Sequence, residues 1–212
     1  MTLNPSIILA LPVLLLAIVI HEVSHGYVAY RLGDSTAKRA GRLTLNPIAH
    51  IDLFGTILLP ALLIFVNSPI LFGWAKPVPV NFYALKNPKK DSIYVAIAGP
   101  VSNILMALFF TLVFWFTSSV NSFNLSIFIE DLRLMCFYGV QINIILALFN
   151  LIPILPLDGG RVLAGLLPMR LSYKYSQLEP YGIYIVILLL FLGVLNFIVS
   201  LSNPIVSFLL GG

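Results

Sequence analysis

From Ile7 to Ile20 the chain runs without a charge, and His21-Glu22-Val23-Ser24-His25 follows directly on it. A run of that kind leaves few choices. In hydrocarbon every backbone polar group must be satisfied within the segment, so it folds as a helix, and a helix from about Ile7 to Tyr30 is long enough to span a bilayer. Ionisable groups at the end of such a helix are costly and need a reason. Their spacing offers one. Two histidines four residues apart share a helix face, about 6 Å apart along the axis, where both imidazoles can bind one Zn²⁺. Glu22 then lies beside a water that the metal would activate. The competing reading is bland: one stray histidine and one stray glutamate in a core. The pattern alone occurs by chance; its apolar setting makes it informative.

Composition agrees with a membrane chain. Of 212 residues 59% are hydrophobic and 9% charged, against roughly 25% charged in soluble domains. The expectation is an all-α polytopic membrane protein forming a single domain over residues 1–212, with a catalytic core at about 7–168. The longest polar stretch, about Arg31 to His50, is too short for an appended binding module. No phosphate-binding loop pattern points to ATP, and the single Cys136 excludes an internal disulfide framework. The net charge of +4 is assigned to topology and not to nucleic acid. The leading apolar run lacks a basic flank and carries the metal motif within the same helix, so it reads as a retained span and not a cleaved signal.

Along the chain, Gly33 and Asp34 end the first helix, and a basic loop with Lys38, Arg39 and Arg42 follows. Leu53–Val66 is apolar but only 14 residues long, with Pro60 inside; that suits a short or re-entrant segment. Phe72–Asn81 holds Pro77 and Pro79 and is predicted extended, with at most one edge free to pair. A second long helix is expected from about Ser92 to Thr117, with Gly99-Pro100-Val101-Ser102-Asn103 near its start. A short amphipathic stretch carries Glu130, Asp131 and Arg133, and a third long helix runs from about Cys136 to Ile152. Asp158-Gly159-Gly160-Arg161 opens a shorter helix to Leu167. A last span covers about Pro180 to Ser200, and the tail from Asn203 to Gly212 is unplaced. The bundle thus has about four full crossings plus a re-entrant or short segment and an extended edge segment.

Lys and Arg set the orientation. Four lie between Arg31 and Arg42, four between Lys76 and Lys90, three between Arg161 and Lys174, and Arg133 stands apart. The positive-inside rule puts the first three groups in the cytoplasm if Leu53–Val66 does not cross, which leaves the N-terminus outside. His21 then lies about 21 Å into the first helix, two-thirds of the way through a core of roughly 30 Å. Asn150 and Asp158 reach a similar depth from the third long helix, and Asn103 starts near it from the second. Polar groups from three segments therefore meet in the cytoplasmic half of the bilayer.

A catalytic zinc site has three protein ligands and one open position. His21 and His25 supply two. With three histidines in the chain, the third ligand is His50 or a carboxylate. Glu22 faces away from the bond-forming edge of the histidine pair. Asp158 is the best candidate by depth, and Gly159-Gly160 allow close backbone approach; its other reading is an N-cap of the helix that follows.

Taken together, His21-Glu22-Val23-Ser24-His25 and Asn150-Leu151-Ile152-Pro153-Ile154-Leu155-Pro156-Leu157-Asp158-Gly159-Gly160 resemble the two metal motifs of the site-2 protease family of intramembrane zinc proteases. The 99–103, 72–81 and 46–52 stretches also resemble family segments, with Leu53 where many relatives have proline. The resemblance runs from Ala17 to about Leu167. It implies a compact catalytic core without appended regulatory domains, one Zn²⁺ per chain held by His21, His25 and Asp158, and Glu22 as general base. It also implies Asn150 as an amide donor to the oxyanion, with Asn103 a second choice, and His50 in a structural or supporting role. The substrate it implies is a transmembrane protein cut in or near its membrane segment, with lipid as surroundings and no nucleic acid. The place would be the cell membrane, as a multi-pass protein. Two other classes stand beside this one: a membrane metal-ion transporter, and a non-catalytic membrane scaffold. A transporter needs polar access from both sides and has no use for Glu22 as a base; a scaffold has no need of the metal-ligating set.

Overall fold

Residues 5–58, 61–62, 65–66, 75–118 and 126–212 are described by the structure, a computed structural model. The first long apolar run forms helix α1 (Pro5–Arg31). It closes where Leu32 and Asp34 N–H groups turn back onto the Ala29 carbonyl, with Gly33 at φ +116° supplying a conformation that side chains disfavour. The Asp34 carboxylate then accepts from the Thr36 N–H and hydroxyl and from the Asn81 N–H. This pins helix α2 (Thr36–Arg39) and the 81–84 turn to the end of α1.

Helix α3 (Pro88–Ser118) is the centre of the bundle, packing on α1, on α4 (Ser126–Asn150) and on α5 (Asp158–Leu166). Short α6 (Met169–Ser176) follows, then α7 (Glu179–Phe191) and α8 (Val194–Leu210). By length and composition, three helices among the described residues can cross a membrane: Leu9–Arg31, Pro88–Ser118 and Phe128–Asn150. The α7 and α8 pair makes a fourth crossing if its bend is counted within one span. This is an all-α polytopic membrane protein.

Three details differ from the sequence reading. The stretch with Glu130, Asp131 and Arg133 is not a separate element but the first turns of α4. No proline interrupts it, and Arg133 donates to the Thr117 carbonyl at the end of α3 at 2.8 Å, satisfying a group that helix ends leave open. The last span is not one straight helix. It breaks at Gly193, which has φ +83°, and the two halves are bent by 70°. The tail from Asn203 is helical, as the end of α8, and the Leu209 carbonyl accepts from the Trp115 indole at 3.0 Å. Leu53–Leu58 forms one π-helical turn; part of the segment to Val66 lies outside the described residues, as do Phe72, Gly73 and Trp74.

Two apolar layers hold the bundle. Ala107, Val140, Ile144 and Val206 join α3, α4 and α8. Ala29, Leu85 and Val95 join α1, the 82–85 turn and α3. Small and β-branched side chains suit this task, because helices in lipid associate by close packing and not by escape from water.

Candidate metal centre

His21 and His25 leave α1 on one face, and their Nε2 atoms lie 3.1 Å apart. Asp158 arrives from the first turn of α5 and places Oδ2 at 3.1 Å from His21 Nε2 and 3.3 Å from His25 Nε2. The loop before it makes that approach feasible. A Cβ on Gly159 would strike the Leu151 carbonyl, and one on Gly160 the Ile154–Leu155 backbone, so only glycines let α5 start this tightly against the 151–155 turn. The capping alternative fails: Leu157 holds the N-cap position and no side chain caps α5.

These three atoms suit a metal ion. A tetrahedral zinc with bonds of about 2.0–2.1 Å sets neighbouring ligand atoms about 3.3 Å apart, which is the size of this triangle. The hydrogens also argue for it. His25 Nδ1 meets the Val95 carbonyl at 2.7 Å, and a carbonyl only accepts, so in the neutral ring the proton is on Nδ1 and Nε2 is bare. His21 Nδ1 meets Asn103 Oδ1 at 2.6 Å in the same sense. Two bare imidazole nitrogens and a carboxylate oxygen thus face one point. Asp158 Oδ2 is buried without a hydrogen-bond donor among the described residues. Such a convergence of lone pairs is unfavourable until a cation sits between them.

Helix α3 forms the opposite wall, where Asn103, a second choice of oxyanion donor in the sequence reading, instead bonds His21 and Asn143 and does not line the cavity. A Cβ on Gly99 would collide with Nε2 of both histidines, so this glycine keeps the ion's space clear. Asn103, one turn on and fully buried, is the group that supports His21 from behind. The signal was present: a glycine and an asparagine four residues apart, hence on one face, in an otherwise apolar helix.

Glu22 borders the same cavity of about 700 Å³ with His21, His25, Asn150, Asp158 and Arg161, among mostly apolar walls. Its Oε2 accepts the Val78 N–H at 2.8 Å. Residues 75–80 are without helix, as expected, and two of their N–H groups, those of Lys76 and Val78, are already used. Lys76 N–H goes to the His50 carbonyl and Asn81 N–H to Asp34, and Pro77 and Pro79 have none. A partner strand would have to take over the Val78 N–H. Asn150 lines the cavity while one amide hydrogen bonds Leu146 O of its own helix at 3.0 Å. His50 lies outside the cluster, with Nε2 on the Thr44 carbonyl at 2.9 Å. Arg161 pairs with Glu179 at 2.8 Å and lies 5.1 Å from the Phe82 ring centre, tying α5 to the start of α7.

Comparison with known proteins gives a consistent result. The sequence model of Peptidase family M50 matches residues 125–194. The chain is 45% identical over 180 residues to "Putative zinc metalloprotease YwhC" of Bacillus subtilis, covering 84% of this chain and 77% of that one. It is 27% identical over 185 residues to "Putative zinc metalloprotease Rip2" of Mycolicibacterium smegmatis, covering 86% and 66%. It is 26% identical over 164 residues to "Zinc metalloprotease MJ0392" of Methanocaldococcus jannaschii, covering 77% and 35%. No solved structure matches the chain.

Proposed function

The chain belongs to peptidase family M50, the site-2 protease family of zinc metalloproteases, and we propose that it is an endopeptidase acting on peptide bonds in or near the transmembrane segments of other membrane proteins. His21, His25 and Asp158 hold the zinc and Glu22 is the general base. The observation that carries this is the triangle of bare ligand atoms with a carboxylate beside it, inside an apolar cavity of a membrane bundle.

Bound there, zinc supplies a Lewis acid that polarises a carbonyl and makes water acidic enough to deprotonate near neutral pH. The residues do the rest. Glu22 takes a proton from the attacking water and passes it to the leaving amine, a role worth about 10²–10⁴-fold in rate. The Val78 N–H keeps its carboxylate turned to the cavity. Asn150 has a second amide hydrogen beyond the one given to Leu146, and donates it to the developing oxyanion. Apolar walls exclude bulk water and receive an unwound apolar segment. We place the site on the cytoplasmic side of the cell membrane with the N-terminus outside, an orientation that the distribution of Lys and Arg supports when Leu53–Val66 does not cross.

The test is to reconstitute the protein with single-span reporter proteins and map the cut by mass. Cuts within or next to the apolar span support the reading; cuts confined to distant soluble loops overturn it.

A further inference from the structure

Behind His21 lies a chain of amides that the proposed reaction does not itself require. Asn103 Oδ1 faces His21 Nδ1 at 2.6 Å, and Asn103 Nδ2 faces Asn143 Oδ1 at 2.8 Å. Asn143 Nδ2 in turn donates to the Gly139 carbonyl at 2.8 Å. Both asparagines are fully buried, on α3 and α4 respectively. An asparagine amide can turn over and exchange its oxygen for its NH₂ at nearly no change in shape. Turned over, Asn103 would offer His21 a donor. The ring proton would then move to Nε2, which points at the metal position, and His21 could no longer be a ligand.

The direction of every link is set by its far end. The Gly139 carbonyl is fixed in a helix and only accepts. Asn143 must therefore point its NH₂ at Gly139 and its oxygen at Asn103. Asn103 must then point its NH₂ at Asn143, where the Ala17 carbonyl also accepts at 3.4 Å, and its oxygen at His21. His21 consequently carries its proton on Nδ1 and presents a bare Nε2. We propose that Asn143 is a positioning residue for the metal: acting through Asn103, it fixes which nitrogen of His21 faces the ion and carries the register of α4 against α3 to the site. This rests on His21 being a zinc ligand, as proposed above. A merely structural asparagine would need only to fill its space; this one must also keep its orientation.

The experiment uses the full chain, zinc-loaded in detergent, in competition with a chromogenic zinc chelator, with a thermal melt of each variant alongside. His21→Ala must bind zinc far more weakly than wild type; if it binds as tightly, the ligand reading fails and this proposal with it. Asn143→Leu is expected to lower zinc affinity about tenfold, in the range for groups that orient metal ligands. Asn143→Ser, whose hydroxyl is too short to reach Asn103, is expected to do the same and serves where leucine prevents folding. The deciding variant is Asn103→Asp. A carboxylate has no NH₂ to present, so its orientation needs no guide. In that background Asn143→Leu should leave zinc affinity at the value of Asn103→Asp alone. Wild-type affinity in both Asn143 variants, or an equal loss in the Asn103→Asp background, would overturn the proposal.

Discussion

Helices α3 and α4 meet in two layers about one turn apart, and the layers are opposite in kind. Ala107, Val140 and Ile144 pack with Val206 of α8 as a wholly apolar contact. Asn103 and Asn143, one turn or less away on the same helices, meet as paired amides with no exposure. In lipid the first layer is the ordinary solution, because close packing of small side chains is what brings helices together. An amide placed in the second layer without partners would cost several kcal/mol. Here each of its links is made, and the links lead to His21. The same interface is therefore built for packing at one level and for orientation at the next, and polarity marks where the change occurs.

The largest effect that sharpens this contrast should come from two glycines. Gly99→Ala drives a methyl into Nε2 of both histidines. Zinc affinity should fall by about 100-fold, the upper end for changes around a metal's ligands, as read by chelator competition. Gly139→Ala drives a methyl into the Phe110 ring of the apolar layer. It should cost about 1–3 kcal/mol of stability, seen in a melt, and lower zinc affinity far less than Gly99→Ala, because the Gly139 carbonyl that anchors Asn143 stays in its helix. An equal loss of zinc in both would erase the distinction between layers.

Within the polar region, holding the metal and holding the base are separable. Val78→Pro removes the N–H that Glu22 accepts and should reduce cleavage by about 10²-fold through misplacement of the carboxylate, with bound zinc intact. Loss of zinc instead would mean that residues 75–80 hold the whole site.

A smaller pair repeats the comparison. Asn103→Ala should weaken zinc by about 10–100-fold. Ile144→Val, in the neighbouring layer, should lower stability by about 0.5–1.5 kcal/mol and leave zinc as it was. Equal zinc loss from both would make the amide pair ordinary packing.

How much of this the sequence disclosed depends on the range of the signal. The histidine pair and Glu22 were legible because spacing along one helix places them without knowledge of any other. Asp158 was legible because prolines and glycines mark the turn that delivers it. Asn143 was not, since a lone asparagine in an apolar helix has no meaning until the facing helix is known. The break at Gly193 was hidden for a similar reason: a single glycine in an apolar run is tolerated within a helix, and the packing of α8 on α3 and α4 decides that the chain turns there. The early start of α4 was masked by Glu130, Asp131 and Arg133, which read as an interruption until Arg133 is seen bonding the end of α3.

The least effect expected lies outside the membrane spans, and contrasts a loop carboxylate with those of the centre. Burial pushes the Asp34 carboxyl up, but the Thr36 hydroxyl, the Asn81 and Thr36 N–H groups and the Arg39 charge outweigh it and hold the group below its usual range. A depressed carboxyl stabilises the fold above its unfolded value of about 3.9. That contribution is lost as pH falls through the lower folded value. Melts between acid and neutral pH should show wild type losing stability in strong acid, with Asp34→Asn less stable at neutral pH and flatter below. An unchanged acid limb in the variant would remove Asp34 from the account.

The most direct test of the centre itself is to measure bound zinc and cleavage of an unfolded reporter side by side in wild type and Glu22→Gln, both purified in detergent. The account predicts one equivalent of zinc in each and cleavage in wild type alone. Equal cleavage in the two proteins would contradict it, and so would loss of zinc from Glu22→Gln, since Glu22 would then hold the metal and not the proton.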